Sequence, residues 1–196
     1  MLFSLPMLRQ TVLLNAADGD DLAAKPSERV ARIVQRYTDD VWRTARDLGV
    51  ARSDLEDVTQ EVLVVVLRRL DDIEPEKERA FALATTVRVA ANWRRSRRRR
   101  PEELTESMDA VEPAAGLARV RTPEEALERS EKLALLRAAL EQMPEPLRVA
   151  FTLFELEQLT AREIAEQLGL AEATIFSRVH RARVVFRRVC EENRHG

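Results

Sequence analysis

The sequence predicts an all-α fold: two small helical domains joined by a linker. Apolar residues recur at helical spacing through most of the chain, whereas the alternation typical of strands is scarce. Only 5 of the 196 residues are glycine, which is few for a protein rich in turns and sheets. Residues 101–121 show no sustained period and contain prolines, a glycine and several acidic residues, so we interpret them as the linker.

The composition limits the range of functions. The net charge is -2, yet six arginines crowd positions 94–100 and a second basic stretch lies near the C-terminus. Local charge decides where a phosphate backbone can bind, so nucleic acid remains a candidate ligand. The single cysteine, Cys190, excludes an internal disulfide, and no cysteine or histidine spacing indicates a metal site. We therefore expect a cytoplasmic protein with no catalytic residues, metal or cofactor.

Residues 1–26 form a predicted N-terminal extension. Their apolar run is too short to span a bilayer and Pro6 interrupts it. The basic start and small-residue cleavage site of a signal peptide are missing. We expect no membrane insertion.

The first domain, residues 27–100, should contain three helices, over about 27–48, 53–70 and 76–98. Ser53 and Glu56 have the spacing of a capping box at the start of the second helix. Asp57, Gln60 and Glu61 lie on the outer face of that helix. This acidic face is either a solvated surface favoured by the helix dipole or a docking surface for a basic partner.

The end of the third helix carries the main basic block. Asn92 and Trp93 immediately precede a dense run of arginines that begins at Arg94 and Arg95, and Arg88 shares a face with Asn92. An aromatic ring and an amide beside positive charge suit unpaired bases, which stack on rings and form hydrogen bonds through their edges. Simple packing of Trp93 beside a solvated arginine run is the alternative.

The second domain, residues 122–192, begins with Thr122, Pro123 and Glu125, which together favour a capped helix start. Near its end, residues 159–188 read as a helix-turn-helix. Thr160 and Glu163 form a capping box, and Gly169 ends the first of the two helices.

The second helix of this pair has apolar core spacing on one face. Its outer faces carry candidate contacts to the major groove: Thr174, Ser177, Arg178 and Arg181. A helical hairpin with a solvated basic face is the alternative reading of the same pattern.

These motifs together resemble extracytoplasmic-function (ECF) sigma factors of the sigma-70 family, reduced to regions 2 and 4. The resemblance covers nearly everything after residue 26. Two stretches of this chain resemble region 2 of the family: SDLEDVTQEVLVVVLRRL at 53–70 and VRVAANWRRSRRRR at 87–100. Region 4 is similar to the stretch from 122, most specifically to EIA at 163–165 and SRVHRAR at 177–183.

The resemblance implies a sigma factor that initiates transcription of a specific regulon. Its expected partners are core RNA polymerase, promoter DNA and an anti-sigma factor. Three groups of residues match functional positions of the family: Asp57, Gln60 and Glu61 for core polymerase; Arg88, Asn92, Trp93, Arg94 and Arg95 for the -10 element; Thr174, Ser177, Arg178 and Arg181 for the -35 element. We also expect the free chain to be compact, and core polymerase to extend it.

The sequence departs from the family at several positions. Ala171 stands where Ser or Thr usually caps the recognition helix, and Phe176 stands where Lys or Arg usually precedes the Ser-Arg pair. Region 2 is also poor in aromatic residues around Thr85 and Thr86. We therefore expect a weaker helix start and one phosphate contact fewer.

Three other classes of function compete with this reading. A stand-alone helix-turn-helix regulator would account for residues 123–192 but leaves the acidic helix unexplained. A helical adaptor without a nucleic-acid role would treat both basic faces as solvated. An enzyme is disfavoured because no nucleophile–base pair or phosphate-binding glycine loop is present.

Overall fold

The computed structural model describes residues 24–99 and 123–193. Helices are the only regular secondary structure in those two ranges, as the sequence predicts. They are α1 (Ala24–Asp47), α2 (Leu55–Arg68), α3 (Glu78–Arg99), α4 (Pro123–Gln142), α5 (Glu145–Phe151), α6 (Ala161–Leu168) and α7 (Glu172–Glu192). Short 3-10 turns and one π-helical turn, Thr152–Leu156, connect some of them. The predicted extension up to residue 23, the linker 101–121 and Thr122 lie outside the described residues.

The start of α2 differs from its prediction. A 3-10 turn, Arg52–Asp54, precedes the helix, so the N-cap is Asp54 and no side chain caps the helix. Ser53 Oγ donates instead to the Asp54 carboxylate, at 3.0 Å. The predicted Ser53–Glu56 capping box is therefore wrong, because the additional turn moves the first helical residue beyond the reach of Ser53.

The first three helices, residues 24–99, form the N-terminal half and pack against one another. Apolar residues at helical spacing are buried between these helices: Ile33, Val34, Tyr37, Val41, Ala45 and Leu48 on α1 or just after it, Leu55, Val58, Val62 and Val66 on α2, and Ala84 on α3. Thr85 and Thr86 are buried as well, and Thr86 Oγ1 donates to the Ala82 carbonyl at 2.9 Å. The two threonines are therefore core residues of α3.

The C-terminal half, residues 123–193, buries its apolar residues in two places. Helices α4, α5 and α7 enclose a cluster in which Phe151 and Phe186 stack, with ring centroids 5.5 Å apart. Ile164 of α6 and Ile175 of α7 belong to the larger cluster that also contains the core of the N-terminal half. One hydrophobic core therefore continues from the first half into the second.

Contacts between the halves follow this shared core. Helix α6 packs against α3, and the π-helical turn contacts α1. Among the described helices, none is long and apolar enough to cross a membrane. The shared core places the helix-turn-helix directly beside the arginine-bearing helix α3.

Candidate nucleic-acid interface

The helix-turn-helix forms as the sequence predicts. Thr160 Oγ1 accepts from the Glu163 amide at 3.2 Å, and the Glu163 carboxylate accepts from the Thr160 amide at 2.8 Å. These two bonds satisfy amides at the helix start that have no partner within the helix. Gly169 ends α6 with φ +66°, a left-handed conformation that favours glycine. The capping box and the glycine therefore set the turn between α6 and α7.

The outer face of α7 presents polar side chains. Ile175, Val179 and Ala182 are buried on the opposite side, which fixes the rotation of the helix. The four predicted contacts then lie on the accessible sides: Ser177 and Arg181 are exposed, and Thr174 and Arg178 are half-buried. The structure therefore presents all four residues on one helix that is anchored by its apolar stripe.

Two departures from the family pattern have local consequences on α7. Ala171 has the extended backbone of an N-cap, φ −76° and ψ 143°, but makes no side-chain cap bond. Phe176 is 54% exposed and meets Phe154 edge-on, with ring centroids 6.2 Å apart. The recognition helix therefore begins without a cap and exposes an aromatic ring.

The predicted acidic docking face lies on α2. Asp57 and Glu61 are exposed, and Gln60 is half-buried. Trp93 Nε1 of α3 donates to Glu61 Oε2 at 2.7 Å. The structure thus joins a predicted polymerase contact to a predicted base-stacking residue, which the sequence did not predict because the two are 32 positions apart.

The predicted -10 residues at the end of α3 do not share one environment. Asn92 and Arg95 are exposed, and Arg95 Nη2 donates to Asn92 Oδ1 at 2.5 Å. Arg94 is held more firmly, because it donates to the Leu48 carbonyl at 2.8 Å and to the Glu145 carboxylate at 2.5 Å.

Arg88 also contacts the C-terminal half. Its Nη2 donates to the carbonyl of Gln167, near the end of α6, at 2.5 Å. Arg88 and Arg94 therefore both form hydrogen bonds with residues of the C-terminal half.

Two family models match this chain. The model described as Sigma-70 region 2 matches residues 33–100, and the model described as Sigma-70, region 4 matches residues 133–184. This chain belongs to the sigma-70 family. Region 2 therefore corresponds to the N-terminal half and region 4 to the C-terminal half. Members of the family are transcription initiation factors.

The curated relatives of this chain include sigma factors of the ECF group. The chain is 34% identical over 164 residues to the ECF RNA polymerase sigma factor SigE of Mycolicibacterium smegmatis; the match covers 83% of this chain and 61% of that protein. It is 29% identical over 168 residues to the ECF RNA polymerase sigma-E factor of Escherichia coli K12, covering 83% and 81%. The chain thus spans about three fifths of the length of the SigE relative.

Solved structures support the same fold. CnrH in complex with the cytosolic domain of CnrY matches with a TM-score of 0.60 and 19% identity, over 94% of this chain and 97% of that one. The Bartonella quintana sigma factor RpoE, in complex with the anti-sigma factor NepR, matches with a TM-score of 0.62 and 18% identity, over 81% and 94%.

A partly buried ionic cluster joins region 2 to region 4. Arg79 of α3 donates to the Glu157 carbonyl and to its carboxylate, each at 2.6 Å, and to Asp40 of α1 at 2.8 Å. The Glu157 side chain is 3% exposed, and burial raises the pKa of its carboxyl. Sequence reasoning missed this cluster because its members lie on three distant segments with no shared period.

Proposed function

We propose that this chain is an ECF sigma factor that binds core RNA polymerase and directs it to promoters with matching -35 and -10 elements. The observation that supports the proposal most is the combination in one chain of a formed helix-turn-helix, an acidic face on α2 and an arginine-rich end of α3. Matches to both region 2 and region 4 accompany these features. A stand-alone regulator would need only the region 4 part.

Helix α7 supplies the proposed -35 contact. A helix of this width fits the major groove, where an arginine can donate two bonds to the edge of a guanine. Arg178 and Arg181 are the proposed cationic contacts, and Thr174 and Ser177 provide hydroxyls for bases or phosphates. Arg183 is less available because its guanidinium pairs with Glu155 at 2.6 Å.

The end of α3 supplies the proposed -10 contact. Trp93 offers a ring on which an unpaired base can stack, and Asn92 offers an amide for its edge. Arg88 and Arg94 can reach DNA only after they leave their partners in region 4. The free chain should therefore bind promoter DNA poorly until the two regions separate.

Docking on polymerase would help to prepare the -10 contact. Glu61 is both a proposed polymerase contact and the acceptor for the Trp93 indole. A basic side chain of the polymerase that pairs with Glu61 would compete for this carboxylate and release the indole. Binding of core polymerase would in this way make Trp93 available to the opened strand.

Several further features belong to the same proposal. In this proposal region 2 spans residues 27–100, the linker spans residues 101–121, and region 4 spans residues 122–192. The protein would work in the cytoplasm and would use no catalytic residues. An anti-sigma factor is a proposed partner, supported by the fold shared with a sigma factor solved in complex with one.

Charge reversal on α2 tests the proposal. Asp57→Arg should abolish binding to core polymerase and run-off transcription, because a cation then faces the basic partner. Asp71→Arg, at an exposed position in the turn after α2, is the matched control and should retain both activities. Circular dichroism should show the same helix content in both variants, since neither side chain is buried.

Full polymerase affinity in Asp57→Arg would refute the docking assignment. Failure of the unmodified chain to bind core polymerase at low ionic strength would refute the sigma-factor proposal as a whole. Tight binding to duplex DNA in the absence of polymerase would instead favour a stand-alone regulator.

A further inference from the structure

A cleft of about 490 Å³ lies between region 2 and region 4. Its walls come from the loop after α1, the end of α3 and the turn between α4 and α5. Small-molecule sites commonly have volumes of about 300–1,000 Å³ and occur preferentially at domain interfaces. Position and size therefore both suit a small ligand that touches the two regions at once.

The charged residues of the cleft favour an anion. Among the described residues, its charged lining is formed by four arginines and two carboxylates: Arg94, Arg95, Arg97, Arg148, Asp54 and Glu145. Both carboxylates are already paired, since Arg94 lies 2.5 Å from Glu145 and Arg97 lies 3.2 Å from Asp54. Cationic side chains therefore outnumber anionic ones among these residues, which favours an anionic ligand.

Region 4 contributes a guanidinium that is held in place at the cleft. Arg148 Nη2 donates to the Met143 carbonyl at 3.1 Å. Its Nη1 lies only 2.8 Å from where a Cβ of residue 49 would be, and Gly49 has φ +85°. Only the missing side chain of Gly49 lets the Arg148 guanidinium approach the region 2 backbone this closely.

The cleft also has an apolar part. Trp93, Val50, Met143 and Pro144 contribute to its walls beside the arginines. An aromatic residue next to guanidinium groups is the combination that binds a base and its phosphates together. The lining therefore suits a ligand with a flat ring and a short phosphate chain better than a bare inorganic anion.

We propose that this cleft binds a nucleoside phosphate, which bridges region 2 and region 4 and holds them together. The ligand would use Trp93, Arg94 and Arg95, the residues proposed to contact the -10 strand. It would thereby disfavour promoter opening. This regulatory consequence rests on the proposed function, whereas binding itself does not.

Titration calorimetry on the full chain, without polymerase or DNA and at constant ionic strength, tests the binding. GDP is the probe, with guanosine and inorganic phosphate as its fragments. GDP should bind at least about tenfold more tightly than either fragment, because the ring and the phosphates each gain contacts. Arg148→Ala should weaken GDP binding about tenfold, since it removes a charge-assisted bond.

Arg97→Ala is a second variant and should also weaken GDP binding. Arg162→Ala is the matched control, because it removes the same charge from an exposed site on α6. It should leave GDP affinity unchanged. Equal weakening in all three variants would show a diffuse charge effect and overturn the proposal, as would the absence of GDP binding.

A nucleotide and a DNA strand both offer bases and phosphates to the cleft. Energy transfer between dyes on region 2 and region 4 distinguishes these two ligands. Exposed positions 68 and 187 can carry the dyes through cysteines, in a chain whose Cys190 is replaced by serine. Saturating GDP should keep the distance short, whereas a single-stranded -10 oligonucleotide should not. A longer distance with GDP would overturn the bridging role. A failed transcription assay with intact GDP binding would count only against the proposed function.

Discussion

Individual residues determine how firmly the recognition helix begins. Ala171 occupies the N-cap of α7 with suitable backbone angles, yet its methyl group accepts no hydrogen bond. The Thr174 amide donates to the Ala171 carbonyl at 2.9 Å, whereas the amides of the two preceding helical residues depend on solvent or on DNA. A phosphate at this helix start would be favoured by the same free amides and by the helix dipole.

Ala171→Ser should stabilise the protein by about 0.5–2 kcal/mol, because the serine hydroxyl can accept from an amide of the first turn. Urea denaturation measures the change in the free energy of unfolding. Ala173→Ser, at an exposed position inside the same helix, is the control and should be neutral or slightly destabilising. Equal effects at the two positions would contradict the capping explanation.

Burial of Asp47 gives the fold a pH-dependent contribution. Its side chain is 9% exposed, and burial raises the pKa of its carboxyl even though Arg46 lies 2.9 Å away. The folded state then binds this proton more tightly than the unfolded state. The contribution of Asp47 to stability must therefore be greatest below its unfolded pKa, and it must decrease as pH rises through its folded pKa.

Asp47→Asn removes this titration while keeping the size of the side chain. The unfolding free energy of the unmodified chain, minus that of the variant, should increase as pH is lowered from neutral. Urea denaturation over a pH series measures this difference. Asp71→Asn, at an exposed position, should give a smaller dependence. A difference that falls with decreasing pH would disprove the raised pKa.

At the level of elements, agreement between sequence and structure depends on whether the relevant contacts are local. The capping box of α6 forms because Thr160 and Glu163 lie within one turn. The same spacing at Ser53 and Glu56 fails because a 3-10 turn precedes α2. Sequence spacing alone does not distinguish the two cases, since both satisfy the same motif.

The π-helical turn Thr152–Leu156 is another element that periodicity did not predict. The Glu157 amide donates to the Thr152 carbonyl at 2.9 Å, five residues back, and Gln158 then adopts φ +57°. The wider turn ends with Glu157 at the interface with region 2. An apolar stripe predicts a helix here but not its change of pitch.

Gly169→Ala should destabilise the helix-turn-helix by about 1–2 kcal/mol, the cost of a left-handed backbone for a residue with a Cβ. A Cβ at this position would meet no atom within 4 Å outside its immediate chain neighbours, so a clash with other parts of the fold does not add to this cost. Gly169→Asn should cost less, because asparagine tolerates this conformation better. Thermal or urea unfolding measures both variants, and equal losses would point to a cause other than backbone strain.

For the whole molecule, the central feature is the contact between region 2 and region 4. A shared hydrophobic core and the ion pair between Arg79 and the buried Glu157 hold the regions together. Residues proposed for the -10 contact, Arg88 and Arg94, are engaged in the same interface. The closed arrangement and the promoter-bound one therefore compete for the same side chains.

Arg79→Ala should weaken this interface by about 1–3 kcal/mol, because it removes charge-assisted bonds to the buried Glu157. Energy transfer between the two regions should show a larger fraction of separated molecules. Arg162→Ala, which breaks an exposed pair on α6, is the control and should change stability by less than about 1 kcal/mol. An unchanged distance in Arg79→Ala would show that the ionic cluster does not hold the regions together.

The sequence by itself determined the all-α class, the helix-turn-helix and the positions of the acidic and basic faces. These features depend on periodicity, caps and turn residues that act within a few positions of one another, and they can be read along the chain. Only the tertiary structure decided that Glu61 holds Trp93, that region 4 engages Arg88 and Arg94, and that a cationic cleft lies between the regions. Each of those contacts joins residues at least 32 positions apart, and no local pattern encodes which distant partner a side chain will meet.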